Sequence, residues 1–286
     1  GGLSVPKNLT KEDLSQPYAR AVYEPELFPY KEQSGTALTT YMTVFNMAYY
    51  PSERGPYNYD VLGSEGFSRG LNEDGTLNSP ETRWGGIMRK FDNTDFESSN
   101  YEYIEFWMMD PFIENPNHTG GKLYFNLGDI SEDILRDGVK FFENGLPTDG
   151  SDKDVEFTVW GRVPNTQIIV NAFDVDATAR SYQDVGFDGL QDEREREHYK
   201  STYLDLLASA FGTGSQAYKK ANEDPSADNY HYFRGSDYDQ ADVKLVERYK
   251  FYNNTEGNSP TDEQSPENYP TAATNLPDLE DMNNDK

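Results

Sequence analysis

Five short segments in the first 160 residues carry the hydrophobic pattern of β-strands. In segment 101–109, Ile104 and Phe106 fall on one face, and Tyr103 and Trp107 fall on the other. Such period-two alternation is typical of strands. The five predicted strands are 39–50, 83–91, 101–109, 122–127 and 155–160. Short strands at these intervals predict a mainly β (α+β) fold, an antiparallel β-sandwich or jelly-roll-like domain with long loops.

One segment has the period of a helix instead. Tyr199, Tyr203 and Leu207 recur every four residues within 193–211, and Gly212 follows. This stripe predicts one long helix that ends at the glycine. A second, shorter helix of one or two turns is predicted within 131–142. Residues 177–183 carry too weak a pattern to predict a helix.

Prolines and composition divide the chain into three parts. Residues 1–38 form a predicted extended N-terminal arm, because prolines interrupt it repeatedly. Residues 39–252 form the predicted β-sandwich domain, with a calcium-like loop at 184–195 and the helix 193–211. Residues 253–286 form a predicted extended or disordered acidic tail. We expect the chain to be a piece of a larger protein.

The charge of the chain excludes several functions. Its 286 residues carry a formal net charge of -26 and no cysteine. Binding to nucleic acid or anionic lipid requires clustered Lys and Arg, so neither is expected. The absence of cysteine excludes disulfides, thiolate metal sites and cysteine nucleophiles. No apolar run is long enough to predict a spanning helix.

The stretch 184–195 places oxygen-bearing groups at the spacing of a calcium-binding loop. Position six of the pattern is Gly189. Position three is Gly186, so a water would have to replace that ligand. The predicted ligands are Asp184, Asp188, the Leu190 carbonyl, Asp192 and Glu195, and the predicted cofactor is calcium. The alternative is an Asp-Gly turn followed by an acidic first helical turn.

A second fragment resembles the beginning of such a loop. Asp281, Asn283 and Asp285 place oxygens at positions one, three and five. They constitute a possible partial calcium site. The alternative is a polar tail that binds nothing.

The sequence shows no catalytic motif. Its three histidines have no zinc-site spacing, and no nucleophile elbow or phosphate loop is present. We therefore predict that the chain is not an enzyme. A hydrolase with paired carboxylates is a further alternative, but the acids are so numerous that the sequence singles out no pair to test. Trp84, Trp107, Tyr101 and Tyr103 could stack on sugars, so a secreted carbohydrate-binding β-sandwich module is the alternative function. Rings of this kind also fill cores and interfaces.

Six motifs occur in order along the chain and together resemble one family. They are AYYPSERGPYN at 48–58, RWGGI at 83–87, YIEFWMMD at 103–110, LYFNLGDISED at 123–133, DVGFDG at 184–189 and ATNLPDLED at 273–281. In this order they resemble the SprA/Sov family. Members of that family form the outer-membrane translocon of the type IX secretion system of Bacteroidetes.

The resemblance implies a non-enzymatic role in protein transport and, in some species, gliding motility. The chain would be a soluble segment of a giant outer-membrane export channel, exposed on the extracellular face of the cell. It would contribute to gating, cargo contact or partner docking. Its implied partners are the remainder of the translocon barrel, its accessory proteins and secreted protein cargo. Nucleic acid is not among them, and this segment would not itself insert into the membrane.

Overall fold

The computed structural model describes most of the chain. The described residues are 5–32, 41–56, 58–66, 68–87, 95–110, 112–113, 115–128, 138–139, 143–166, 173–174, 176–229, 231 and 233–251. Among them, 27% are helical and 6% are in strand. The prediction of a mainly β sandwich or jelly-roll domain was therefore wrong.

Helices supply most of the regular structure. They are α1 (Glu24–Leu27), α2 (Ala177–Gln183), α3 (Asp192–His198), α4 (Asp205–Phe211), α5 (Gln216–Glu223), α6 (Ser236–Gln240) and α7 (Leu245–Arg248). A π-helical turn, Lys200–Leu204, joins α3 to α4. This joined helix lies where the apolar stripe predicted it. Gly212 ends it with a φ of 80°.

The described residues form one two-stranded sheet. Strand β1 (Val155–Phe157) pairs antiparallel with β2 (Arg162–Pro164), with Glu156 opposite Val163. Of the predicted strands, only 155–160 contains a regular strand among the described residues. In 41–50, pairing is limited to an isolated bridge between Tyr41 and Tyr23.

The sandwich prediction failed because the predicted strands leave most of their large apolar side chains exposed. Phe45 is 76% exposed, Tyr103 is 79% exposed and Tyr124 is 72% exposed. An alternating apolar segment becomes a strand when a neighbour completes its backbone hydrogen bonds and a second layer covers its face. Among the described residues, 41–50 has one isolated bridge, and neither 101–110 nor 121–128 has a paired strand. We call these three stretches the exposed segments.

The main hydrophobic core lies where the joined helix and α5 pack on the loop 58–78. We call this unit the helical lobe. Its buried residues are Val61, Leu71, Leu77, Tyr199, Tyr203, Leu204, Leu207, Ala217 and Ala221. The Ala217 N–H donates to the Glu73 carbonyl at 2.9 Å, which fixes the start of α5 against the loop. Burial of this apolar surface is the main force that holds the lobe together.

Helix α2 forms although its apolar pattern is weak. The Asp176 carboxylate accepts from the N–H groups of Thr178 at 2.8 Å and Ala179 at 3.3 Å. At the other end, Gln183 Nε2 donates to the Asn144 carbonyl at 2.8 Å. Capping and a tertiary hydrogen bond thus compensate for the missing apolar stripe.

The first described residues pack against the last ones. The buried Arg248 donates to Asn8 Oδ1 at 2.7 Å and to Asp239 Oδ1 at 2.9 Å. Residues 5–32 contain turns and α1, which differs from the predicted extended arm. The tail 253–286, most of the predicted helix 131–142 and the boundary at 38–39 lie outside the described residues. No described helix has the length and apolar character needed to cross a bilayer.

Candidate metal centre

The loop between α2 and α3 carries the predicted calcium ligands. It runs from residue 184 to 191, so it joins two helices. The loop is fixed against the small sheet, because the Arg162 N–H donates to the Asp188 carbonyl at 2.8 Å. A side chain at Gly161 would meet that same carbonyl oxygen at 2.3 Å, so the close approach requires glycine here.

Three buried carboxylates meet beside this loop. Asp188 lies on the loop, Glu195 lies on α3 and Asp228 follows α5. Each offers one oxygen, and these oxygens lie within 4.8 Å of one another. The three side chains are 3%, 1% and 4% exposed. We call them the inner group.

Hydrogen bonds hold part of each inner carboxylate. Asp188 accepts from the Leu190 N–H at 2.9 Å and from the Tyr199 hydroxyl at 2.9 Å. Glu195 Oε2 accepts from the Ser226 N–H at 3.0 Å. Asp228 Oδ2 accepts from the Phe187 N–H. These bonds orient the carboxylates, but they do not engage every carboxylate oxygen.

Two of the remaining oxygens have no hydrogen-bond partner in the described part of the chain. They are Glu195 Oε1 and Asp228 Oδ1, and both are buried. The Ser226 hydroxyl, 1% exposed, lies beside both carboxylates without a hydrogen bond of acceptable geometry. Buried polar atoms are nearly always satisfied, so each of these three atoms requires an explanation.

A second set of carboxylates shares Glu195 and lies nearer to solvent. Asp192, Glu195 and Asp224 also offer oxygens within 4.8 Å of one another. We call Asp192 and Asp224 the outer pair. Asn229 Nδ2 donates to Asp192 at 3.2 Å, and Asp224 accepts from the N–H groups of Asp228 and Asn229 at 3.2 and 3.3 Å. The outer pair is therefore better supplied with donors than the inner group.

Burial raises the pKa of every carboxyl in the inner group. Desolvation, and then the charges of Asp188 and Asp228, raise the pKa of Glu195 to about 11. Desolvation, and then Asp224, raise the pKa of Asp228 to about 7. Desolvation followed by Asp228 also raises the pKa of Asp188 well above its usual value. Among the described residues, no Lys, Arg or His forms an ion pair with these three carboxylates.

Gly186 has a different role from the one its place in the pattern suggested. Its φ is +104°, and a side chain there would meet Asp228 Oδ2 at 2.6 Å. The sequence pattern has a missing ligand at this position. In the fold, a carboxylate from a distant part of the chain occupies the space that the side chain would have filled.

The structure brings three of the predicted ligands together. Asp188, Asp192 and Glu195 belong to the two sets of carboxylates. Asp184 is buried at the C-terminal end of α2 and belongs to neither set. Leu190 is buried, and its N–H holds Asp188. Asp281, Asn283 and Asp285 lie outside the described residues.

Sequence reasoning missed Asp224 and Asp228. They begin and end the sequence Asp-Pro-Ser-Ala-Asp, which directly follows α5. The sequence signal that could have indicated them as metal ligands is this pair of acids on either side of a Pro-Ser turn. They lie more than 28 residues from Glu195, so spacing alone could not associate them with the loop. Their place is maintained by Arg54, which donates to the carbonyls of Asp224 and Pro225.

The described histidines take no part in this centre. His118 stacks on Phe112, His231 lies 2.7 Å from Asp237, and His198 contacts the Val159 carbonyl. The possible metal-binding sets among the described residues contain carboxylates alone. The chemistry of the site is therefore that of oxygen ligands.

Comparison with known proteins finds a family match in the last third of the chain. Residues 202–286 match the family model SprA_N, described as motility related/secretion protein. The matched range includes Asp224 and Asp228 and, of the six ordered motifs, the closing one. No match was found among curated proteins. The match supports the resemblance of the ordered motifs to the SprA/Sov family and indicates a role related to motility or secretion.

Proposed function

We propose that the chain is a non-enzymatic segment of the outer-membrane protein-export channel of type IX secretion. It lies on the extracellular face and works through contacts with the rest of the translocon, its accessory proteins or secreted cargo. These contacts serve gating, cargo passage or docking. The family match supports the link to secretion and motility.

The observation that carries this proposal is the exposure of the three apolar segments. Phe45, Trp107 and Phe125 are 76%, 68% and 56% exposed. Residues 102–110 form no backbone hydrogen bonds with the described residues. Soluble monomers rarely expose contiguous apolar surface of this kind, and such surface typically marks a protein interaction site.

The exposed segments also offer backbone groups to a partner. An extended peptide with free N–H and C=O groups can add a strand to a sheet, and its alternating side chains then give specificity. Segment 102–110 has the alternating apolar side chains, and its backbone is unpaired with respect to the described residues. A partner that covers it would satisfy the backbone and bury Tyr103 and Trp107 at once.

Site-specific photo-crosslinking in cells tests this proposal. A photoreactive residue replaces Tyr103 in the full-length protein, and the matched control replaces Lys219, an exposed residue of the helical lobe. We expect crosslinks from position 103 to another part of the translocon, an accessory protein or cargo, and few from position 219. Equal, weak crosslinking from both positions would contradict the proposal.

A secretion assay provides the functional arm. Substituting Tyr103→Ser together with Trp107→Ser removes apolar contact area from a surface that is already exposed. We expect the protein to accumulate normally while secretion of cargo falls. Unchanged secretion at unchanged protein level would show that this surface is dispensable.

The carbohydrate-binding alternative loses its structural premise. It required a β-sandwich, and the described residues are 27% helical with 6% strand. The exposed rings of Tyr101, Tyr103 and Trp107 remain available to sugars in principle. Saturable binding on a glycan array would favour that alternative over the translocon role.

A further inference from the structure

We propose that the helical lobe holds one structural calcium ion, bound by Asp188, Glu195 and Asp228. The ion joins the α2–α3 loop, α3 and the turn that follows α5. This ligand set differs from the loop-only set that the sequence pattern predicted, because its third carboxylate comes from a distant segment. The inference stands independently of the role in secretion.

The donor chemistry selects the kind of ion. The inner group offers carboxylate oxygens, the Ser226 hydroxyl lies beside them, and neither His nor Cys takes part. Zinc in structural sites takes nitrogen and sulfur ligands, whereas calcium takes six to eight oxygens at about 2.3–2.6 Å. Oxygens within 4.8 Å of one another can all contact one such ion. Magnesium keeps several waters and suits a dry, protein-only set of ligands less well.

Unsatisfied atoms point to the same ion. Glu195 Oε1 and Asp228 Oδ1 belong to side chains that are 1% and 4% exposed, and neither has a hydrogen-bond partner among the residues that the structure describes. The Ser226 hydroxyl, 1% exposed, faces the same space. Buried charges are normally paired or coordinate a metal. A divalent cation would satisfy both carboxylate oxygens and the hydroxyl together.

The backbone geometry of the site also fits a ligand set built from two distant segments. A side chain at Gly186 would meet the Asp228 carboxylate at 2.6 Å, so glycine admits Asp228 to the loop. The Phe187 and Ser226 N–H groups then orient Asp228 and Glu195. Such bonds to outer oxygens hold metal ligands in position.

Calcium would act as a tertiary crosslink. Asp188 belongs to the loop that packs on β2, and Glu195 lies on α3, which leads into the helix that carries the lobe core. Asp228 belongs to the turn that Arg54 also holds. Without a cation, three buried acidic groups lie together with no basic side chain of the described residues to pair with them. With it, the same residues stabilise the junction between the sheet and the lobe.

Metal-dependent melting of the whole 286-residue chain tests the proposal. After treatment with chelator, the melting temperature is measured without metal, with 1 mM calcium and with 1 mM magnesium. We expect calcium to raise it by about 5 °C or more, since a ligand that binds only the folded state stabilises that state. Magnesium should have a much smaller effect.

Terbium provides a local readout. Tyr199 donates to Asp188 at 2.9 Å, so its ring is placed to sensitise Tb³⁺ bound in the inner group. We expect tyrosine-excited Tb³⁺ emission that calcium abolishes by competition. Asp228→Asn should reduce this emission and weaken calcium binding by about tenfold or more, the scale of loss expected when a metal site is damaged. Glu197→Gln, an exposed change on the same helix, is the matched control and should alter neither.

The change in melting temperature caused by Asp228→Asn, measured with and without calcium, distinguishes a metal ligand from a residue with only a structural role. Asp228→Asn keeps the shape of the side chain and removes an acidic group that has no ion-pair partner among the described residues, so without metal it should melt at or above the temperature of the unaltered protein. With calcium, the variant should melt at a lower temperature than the unaltered protein. Equal melting of the unaltered chain with and without calcium would overturn the proposal. So would equal shifts with magnesium, or an Asp228→Asn variant that is destabilised to the same degree in both conditions.

Discussion

The helical lobe and the exposed segments are both rich in large apolar side chains, but only the lobe buries them. Leu207 in the lobe is 0% exposed, whereas Leu123 in segment 121–128 is 51% exposed. The lobe joins a helix, a second helix and a loop that cover one another. The exposed segments have no such cover among the described residues. Hydrophobic content alone therefore does not show whether a segment belongs to the core of this chain or to a contact surface.

The comparison also separates two uses of the same chemistry. In the lobe, Tyr199 packs its ring in the core and directs its hydroxyl to Asp188. In the exposed segments, Tyr103 presents its ring to solvent. A ring that is buried together with a satisfied hydroxyl stabilises the fold, whereas an exposed ring is available to a partner.

Hydrogen exchange should show the largest difference between the two regions. Amides of α4 are hydrogen-bonded within a helix that packs Leu207 into the lobe core, whereas those of 102–110 form no backbone hydrogen bonds with described residues. We expect exchange at least about 10³-fold slower in α4, because protection follows the free energy of opening. Mass spectrometry of peptides from both regions measures it. Slow exchange in 102–110 of the isolated chain would mean that these segments pair within it.

Matched leucine truncations test the same contrast in stability. Leu207→Ala should lower the free energy of unfolding by about 3 kcal/mol, since it leaves a cavity in the lobe core. Leu123→Ala should cost less than about 1 kcal/mol, because the side chain is half exposed. Denaturant titration of both variants measures the difference. Equal losses would remove the distinction between the two regions.

Alanine substitutions at two glycines with positive φ separate the effect of the Asp228 contact from the effect of backbone strain. Gly186→Ala should cost about 2 kcal/mol, because the new methyl group meets the Asp228 carboxylate in addition to the backbone strain. Gly212 has a φ of +80° and open space around it, so Gly212→Ala should lower the free energy of unfolding by about 1 kcal/mol, from backbone strain alone. Thermal melting of both variants gives the comparison. A smaller loss at position 186 than at 212 would show that Asp228 moves aside freely.

The smallest effect concerns His198, which is half-buried at the edge of the lobe. Burial lowers its pKa, and its contact with the Val159 carbonyl opposes this only in part. The neutral ring is therefore favoured in the fold. Its stabilising contribution is complete above the unfolded pKa, near 6.5, and declines as the pH falls below it. The fall in melting temperature between pH 7.5 and pH 5 should be smaller in His198→Gln, and an unchanged fall would contradict this.

Local patterns predicted the helical lobe better than the rest of the fold. The stripe of Tyr199, Tyr203 and Leu207 places the joined helix where the structure has it, because helical periodicity is set by residues a few positions apart. The strand predictions failed at 101–109 and 122–127. Whether an alternating segment pairs depends on neighbours that the segment itself does not contain.

The candidate site shows the same division. Spacing within 184–195 singled out Asp188, Asp192 and Glu195, which the fold brings together, but it also included Asp184, which belongs to neither set of carboxylates. It could not find Asp228, because that residue reaches the site through the folding of α5 and its following turn. The glycine at 186 looked like a lost ligand until the structure placed a carboxylate beside it.

The amino-acid sequence by itself determined the acidic, cysteine-free character of the chain, the helix of the lobe and the resemblance to the SprA/Sov family. Each of these depends on composition, on near neighbours or on ordered motifs. The tertiary structure alone decided which apolar segments are buried and which acids converge at Asp188. Both depend on contacts between residues far apart in the chain, where the gain from burial must exceed the entropy lost in bringing them together.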